Sequence, residues 1–475
     1  MKDINRISEI TPVGFNRVEI RWHRGELDRI LLFFALFILP IQSLVGIIVL
    51  LYVSYKGWQE KDKEFQGKEP IIGLFLMLTI SLIISTALAE EKREAIIGLV
   101  HFLPLFWVFL GVRRLVNDCQ YLWCVILPFV VNSPLIAIIG VGEIIFHWKT
   151  PLLFYKFFGW RLTGEGTPTG RAASVFPYAN SLALYLVISG IFAIALLLKN
   201  WYKKKIITPD IILLIVTVIL DLYCLVLTQS RNGWILFFIA IIAFSVYRGW
   251  GIVIYMTTTA GVLTTWASFG QLPGQQIVRK IIPDFLWLRF SDQLYQNRPL
   301  EELRVSQWWY CLELIKSRPL FGWGLRNFSL LYEEKTGHYL GHPHNFFLMM
   351  MAETGIISTI MLLIVSGLVI MGGFVYLLRG KREKRDTDTI FFGLLMAFLS
   401  CSIYNLFDVS VFDVRLNIIA WILLAAIAGI THNTPFYYLR LKLLGDKNNS
   451  TPPVNDRKRH DNMANCHFHP NTQHP

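Results

Sequence analysis

Eleven apolar runs divide this chain, near 30–55, 70–88, 95–116, 119–147, 175–198, 209–228, 232–248, 250–270, 345–376, 389–409 and 413–432. Most approach or exceed the ~20 residues with which a helix crosses a bilayer's hydrocarbon core. A backbone inside lipid must satisfy its own hydrogen bonds, which leaves helices or a closed barrel. The alternating pattern of barrel strands is absent. Composition agrees: 54% of residues are hydrophobic and 16% charged, with a mean hydropathy of +0.47, whereas soluble chains are charged at about a quarter of positions. The expected fold is all-α and polytopic.

Basic residues set the sidedness. Lys199 with Lys203, Lys204 and Lys205 marks one cytoplasmic loop, and Arg379, Lys381, Arg382, Lys384 and Arg385 mark another. Arg113, Arg114 and Arg248 suit two more. The N-terminus, with Arg17, Arg21, Arg24 and Arg29, also reads as cytoplasmic, and no small-residue cleavage site follows it, so the first run reads as a retained anchor. All of these can face one side only if 30–55 forms a hairpin, which Pro40, Gln42 and Ser43 permit. The result is about twelve membrane helices with both termini cytoplasmic. The net charge of +12 sits in these loops, so it points away from nucleic-acid binding.

This topology divides the chain into a cytoplasmic segment 1–29, a membrane domain 30–432 with outer loops 148–174 and 271–343, and a disordered cytoplasmic tail 433–475. The longer outer loop carries nine Lys/Arg, which long loops tolerate. Its stretch 300–318, with Pro299 before it and Pro319 after, predicts an amphipathic helix over a cavity or on the membrane surface. Cys311 is the only cysteine there, so no disulfide is expected in it. Cys466, His467, His469 and His474 in the tail read as an unstructured polar end rather than a metal site.

Four features fall on the outer side. Arg231 lies in Thr228-Gln229-Ser230-Arg231-Asn232-Gly233, between two apolar helices with almost no loop. A guanidinium there needs an anion or a wet cavity, or else it snorkels to the interface. Arg304 lies on the predicted loop helix, and Arg171 just before the fifth run. Each has a plain reading as a solvated charge. His344, in His342-Pro343-His344-Asn345, begins the helix after the large loop. His344 and Asn345 could be a simple helix cap. Together, three arginines and a histidine on one side suit anion recognition joined to proton transfer. His338 and His342 read as loop residues, Met349-Met350-Met351 as packing, and Asp408 and Asp413 as helix caps at a tight turn.

The motifs resemble the O-antigen ligase/polymerase superfamily. His344-Asn345, then nine residues, then Gly355 resembles its signature. Ser230-Arg231-Asn232-Gly233 resembles its Ser-Arg-Gly helix start, with Asn232 where glycine is usual. Arg304, Trp308 and Ser317-Arg318-Pro319-Leu320-Phe321-Gly322-Trp323-Gly324 resemble its loop-helix arginine and Pro-x-x-Gly-x-Gly turn. Arg171 through Asn180 and Leu182-Ala183 resemble a mid-chain helix start. The resemblance implies a type C glycosyltransferase-like fold in the bacterial inner membrane and inverting chemistry without a metal or cofactor. Its implied donor is an undecaprenyl-diphosphate-linked glycan, used at the periplasmic face. It implies that Arg231 and Arg304, with Arg171 as a weaker carry-over, hold the diphosphate, that His344 activates an acceptor hydroxyl, and that Asn345, Asn180 and Gly355 support them. The single large loop between helices nine and ten resembles the ligases, whose acceptor is lipid A-core, more than the polymerases. O-antigen or exopolysaccharide polymerisation, protein O-glycosylation, an inorganic-carbon or other anion transporter, and a scaffold in glycan export stay open as alternatives.

Overall fold

The structure is a computed structural model and describes residues 25–59, 70–201, 208–269, 273–291, 299–379 and 385–432. The basic N-terminal segment and the tail with its cysteine and histidines lie outside the described residues. In chain order the helices are α1 (Glu26–Ile38), α2 (Ser43–Gln59), α3 (Pro70–Ala87), α4 (Lys92–Leu99), α5 (Leu103–Leu115), α6 (Trp123–Ile145), α7 (Leu152–Phe158), α8 (Ala179–Trp201) and α9 (Pro209–Leu227). They continue as α10 (Arg231–Arg248), α11 (Gly251–Phe269), α12 (Gln275–Ile281), α13 (Asp284–Phe290), α14 (Arg304–Ser317), α15 (Asn327–Thr336), α16 (Phe346–Arg379), α17 (Arg385–Tyr404) and α18 (Val414–Ile430).

The chain is an all-α polytopic membrane protein. Among the described residues, seven helical stretches are long and apolar enough to cross a bilayer, the joined α4–α5 among them, and α3, α17 and α18 are shorter apolar helices. α8 is the most enclosed of the seven and packs against α9 and α17. α11 is the least covered and packs on α10.

Two ends of the bundle can be told apart by their contacts. At the basic end, Arg29 Nε donates to the Leu115 carbonyl at 3.0 Å, Arg114 Nη1 to Trp58 O at 3.2 Å, and Arg248 Nη2 to Leu198 O at 2.9 Å. Cations here meet helix C-termini, where the carbonyl ends carry partial negative charge. At the other end, Trp160 Nε1 donates to Ile41 O at 2.7 Å and Gln42 Nε2 to Phe157 O at 2.9 Å. The α1–α2 turn at Leu39–Gln42 therefore reaches the end opposite Arg29, as the Pro40 hairpin requires.

Several boundaries differ from the sequence expectation. The loop helix starts at Arg304 rather than at residue 300, because Leu300–Glu302 forms a separate 3₁₀ turn. The run 345–376 is not one continuous helix. α16 breaks at Gly355, with φ 79° and ψ 172°. Loop 148–174 contains α7, whose Leu152, Leu153 and Phe157 are all exposed, as suits a helix lying at the interface.

The break in α16 explains why two sequence motifs occur together. It frees carbonyls that the helix would otherwise use. Trp323 N donates to Ala352 O at 3.0 Å, Gly324 N to Glu353 O at 2.7 Å, and Ile356 N to Pro319 O at 2.9 Å. Each such group left bare in an apolar setting costs several kcal/mol. The glycines are needed for the approach. A Cβ on Gly355 would lie 2.0 Å from Leu320 O, and one on Gly322 2.5 Å from Glu353 O. Glu353 Oε1 adds a hydrogen bond from Phe328 N at 3.2 Å. The Pro319–Gly324 turn, α15 and α16 thus lock into one unit.

Candidate active site

The helix start at His344 is built by a sharp backbone turn. His344 has φ 52°, a left-handed value that residues other than glycine rarely adopt. Asn345 Oδ1 accepts from Leu348 N at 3.0 Å and caps α16. Phe346 N donates to Asn405 O at 2.9 Å, tying this start to the end of α17. The cap reading therefore holds for Asn345 but not for the histidine beside it.

His344 Nδ1 lies 3.3 Å from Asp408 Oδ1. Asp408 is 7% exposed and His344 30%. The same Oδ1 accepts from Val409 N at 2.9 Å. Oδ2 accepts from Asn180 Nδ2 at 2.7 Å and Tyr404 Oη at 3.2 Å. Burial pushes the Asp408 carboxyl up, but the hydrogen bond from His344 and the nearby His342 and His344 outweigh it and hold it below the usual carboxylate range. Asp413 does cap α18, accepting from Arg415 N at 3.1 Å. Asp408 does not act as a cap. It is the hub of the polar cluster.

His342 also departs from the loop reading. Its Nε2 is 3.9 Å from Asp408 Oδ1, its ring centroid is 4.5 Å from that of His344, and it stacks on Phe412. Burial pulls its imidazole down to about 4, with His344 and Arg304 acting in the same direction against Asp408. His342 is then neutral near pH 7. Its Nδ1 accepts from the His344 amide at 3.3 Å, so the neutral ring carries its proton on Nε2.

The ligating atoms of His342, His344 and Asp408 all lie within 4.8 Å of one another, a spacing that suits a metal ion. Their hydrogen bonds fit a proton relay better. A metal at their centre needs a bare Nε2 on His342, while the bond at Nδ1 places the proton there. Asp408 already accepts four hydrogen bonds.

The network extends to Arg171, which is 8% exposed. Its Nε donates to Thr228 O at 2.8 Å and its Nη2 to Asn180 Oδ1 at 2.5 Å. An unbroken path thus runs from Arg171 through Asn180 and Asp408 to His344. The loop bearing Arg171 is held by a residue that sequence reasoning missed. Glu143, fully buried at the end of α6, accepts from Ala173 N at 2.9 Å, Ser174 N at 2.8 Å and Thr163 N at 3.3 Å.

Arg231 opens α10 behind its cap Ser230, whose Oγ accepts from Gly233 N at 3.3 Å. Its neighbours join the same end. Gln229 Nε2 donates to Gly170 O at 3.1 Å, and Asn232 Nδ2 to Tyr404 O at 3.1 Å. Asn232, where the resemblance has glycine, thus ties α10 to the end of α17. Gln229 O accepts from Arg289 Nε at 2.9 Å, bringing a further buried arginine beside this helix start. Arg304 opens α14. One turn on, Trp308 Nε1 donates to Pro343 O at 3.0 Å, which lays α14 over the histidines.

Two cavities border the cluster. One, of about 250 Å³, is lined by Glu301, Glu302, Tyr332, His338, Tyr339, Leu340 and His344. The other, of about 240 Å³, is apolar and lies between α16, α17 and α18, with Phe346, Asn405 and Ser410 at its site end.

The described residues thus form a polytopic helical membrane bundle with a histidine–carboxylate pair and several arginines at one end. Residues 216–363 match the family described as O-antigen ligase, in line with the resemblance the motifs carry. No match to a curated protein was found. The family match supports ligase- or polymerase-type glycan transfer from lipid-linked substrates by a membrane enzyme. It spans Arg231, Arg304, His344 and Gly355. Arg171, Asn180 and Asp408 lie outside it and join the site only through the fold.

Proposed function

We propose that this protein is an inverting, metal-independent glycosyltransferase. It moves a glycan from an undecaprenyl-diphosphate carrier to an acceptor hydroxyl in an O-antigen ligase-type reaction, with lipid A-core as acceptor. The site faces the periplasm across the inner membrane, with both termini cytoplasmic, because the opposite end of the bundle carries Arg29, Arg114, Lys199 and Arg248.

The observation that carries this reading is the contact between His344 and Asp408. A carboxylate can only accept, so the proton on His344 sits at Nδ1 and the lone pair at Nε2. Nε2 takes the proton of the acceptor hydroxyl as its oxygen attacks the anomeric carbon. The bond from that carbon to the diphosphate oxygen breaks, and the lipid diphosphate leaves. A single displacement of this kind inverts the centre. Arg231 and Arg304 stabilise the charge growing on the leaving diphosphate. Arg171, already bonded to Asn180 and Thr228, holds Asp408 in place through Asn180. The apolar cavity beside Phe346 offers room for part of the lipid chain.

An anion path through the bundle would favour buried basic residues. The buried basic residues among those described, Arg29, Arg113, Arg171, Lys199 and Arg289, all lie near helix ends or in loops, whereas Asp221, the charged residue buried midway along α9, is acidic. The direct test is His344→Ala, assayed for transfer of lipid-linked glycan in membranes with equal protein levels. Transfer should vanish. Undiminished transfer removes the base and this reading with it.

A further inference from the structure

The geometry points to the cavity at Glu301–Leu340 as the acceptor subsite, built for an uncharged or amino-bearing sugar and closed to phosphorylated or uronic sugars. This deepens the proposed transfer reaction and borrows from it only the role of His344.

The cavity holds about 250 Å³, room for one sugar ring, and His344 forms part of its lining. A hydroxyl bound there is next to the proposed base. Among the described residues its lining includes two glutamates and two histidines but no lysine or arginine, so it offers a diphosphate no guanidinium or ammonium partner. The arginines Arg231 and Arg304 open other helices around the cluster. Neither arginine lines the cavity, which is a carboxylate-bearing space beside the proposed base and suits the acceptor better than the donor diphosphate.

The glutamate wall is a constructed one. Tyr332 Oη donates to Glu301 O at 2.6 Å, and the buried Gln307 donates through Nε2 to Glu302 O at 3.1 Å. Both backbone carbonyls of the 3₁₀ turn are thus clamped, fixing where the two side chains start. Burial and the nearby Glu301 charge both raise the Tyr332 phenol, so it stays a hydrogen-bond donor. Tyr339 is 68% exposed and gives the cavity an aromatic face. Carboxylates accept from sugar hydroxyls, and an aromatic ring packs on the apolar face of a pyranose. A protonated amino sugar gains charge-assisted bonds and contact with the ring face. A phosphate or uronate meets two like charges.

The test uses purified full-length protein in nanodiscs and saturation-transfer NMR. The four probes are methyl glucoside, methyl glucosaminide, glucose 6-phosphate and methyl glucuronide. The expected order is glucosaminide, then glucoside, with both acidic sugars weaker than the glucosaminide by about tenfold or more. In the double variant Glu301→Gln, Glu302→Gln the amine preference should disappear and the acidic sugars should bind. Tyr339→Ala should weaken all four probes, with an unchanged unfolding temperature. Equal binding of acidic and amino sugars by the native protein overturns the proposal. So does an absence of sugar binding, or a charge preference that survives in the folded double variant. If the sugars bind as expected while His344→Ala still transfers glycan, the subsite stands and the transfer reading falls.

Discussion

His344 and Asp408, 64 residues apart in the chain, meet through Nδ1 and Oδ1 at 3.3 Å. This pairing joins the start of α16 to the turn between α17 and α18. It decides which histidine nitrogen is free to accept a proton.

Asp408→Asn tests that relationship. An amide of the same size can present its NH₂ to Nδ1 and favour the other tautomer. Transfer should fall on the order of 10²- to 10⁴-fold in kcat, with little change in KM for the lipid-linked donor. A variant that keeps its rate and its pH profile refutes the orienting role.

Arg304→Lys and Arg231→Lys keep the charge but lose the two-pronged geometry suited to a diphosphate. Each should cost roughly tenfold or more in kcat/KM. Full activity in both argues that neither arginine touches the leaving group.

His342 predicts a pH window for stability. Its folded pKa, about 4, lies below the ordinary value of 6.5. A depressed pKa means the unfolded chain binds the proton first, so stability is full above about 6.5 and declines as pH falls toward 4. Below 4 this contribution levels off. Unfolding temperatures across that range should converge for the native protein and His342→Gln at low pH and diverge above it. Parallel curves would remove His342 as the cause.

Gly355→Ala should unseat the Pro319–Gly324 turn. Its Cβ would stand 2.0 Å from Leu320 O, on a residue with φ 79°. Backbone strain alone costs about 1–3 kcal/mol. A lowered unfolding temperature and faster proteolysis between residues 299 and 345 are expected. Native-like values for both would show that α16 does not need its break.

Removal of divalent ions with EDTA should leave transfer within about twofold, since the proton on Nε2 of His342 opposes metal binding at the cluster. Loss of activity restored by one added metal would overturn that proton assignment.

The sequence made the membrane helices plain, because apolar runs of this length have few other solutions in water or lipid. It also singled out His344 and Arg231, as polar groups at the starts of apolar helices, and Arg304 on the loop helix. Asp408 stayed hidden because an aspartate near a helix start has an ordinary local role, and Asp413, five residues on, fills that role. His342 stayed hidden because what distinguishes it is burial against Phe412 and Asp408. Glu143 carried no local signal at all. Its partners are backbone amides of Thr163, Ala173 and Ser174, groups that every sequence contains. The start of α14 was misplaced because Pro299 opens a 3₁₀ turn rather than the helix itself.

The broken α16 also has a mechanical meaning. The Pro319–Gly324 turn grips it at Ala352, Glu353 and Ile356, after the histidine, while Trp308 on α14 grips Pro343 just before it. The helix start is thus braced like a beam held at two points. Loss of the Trp308–Pro343 contact alone would leave the contacts at Ala352, Glu353 and Ile356 in place on the other side of His344.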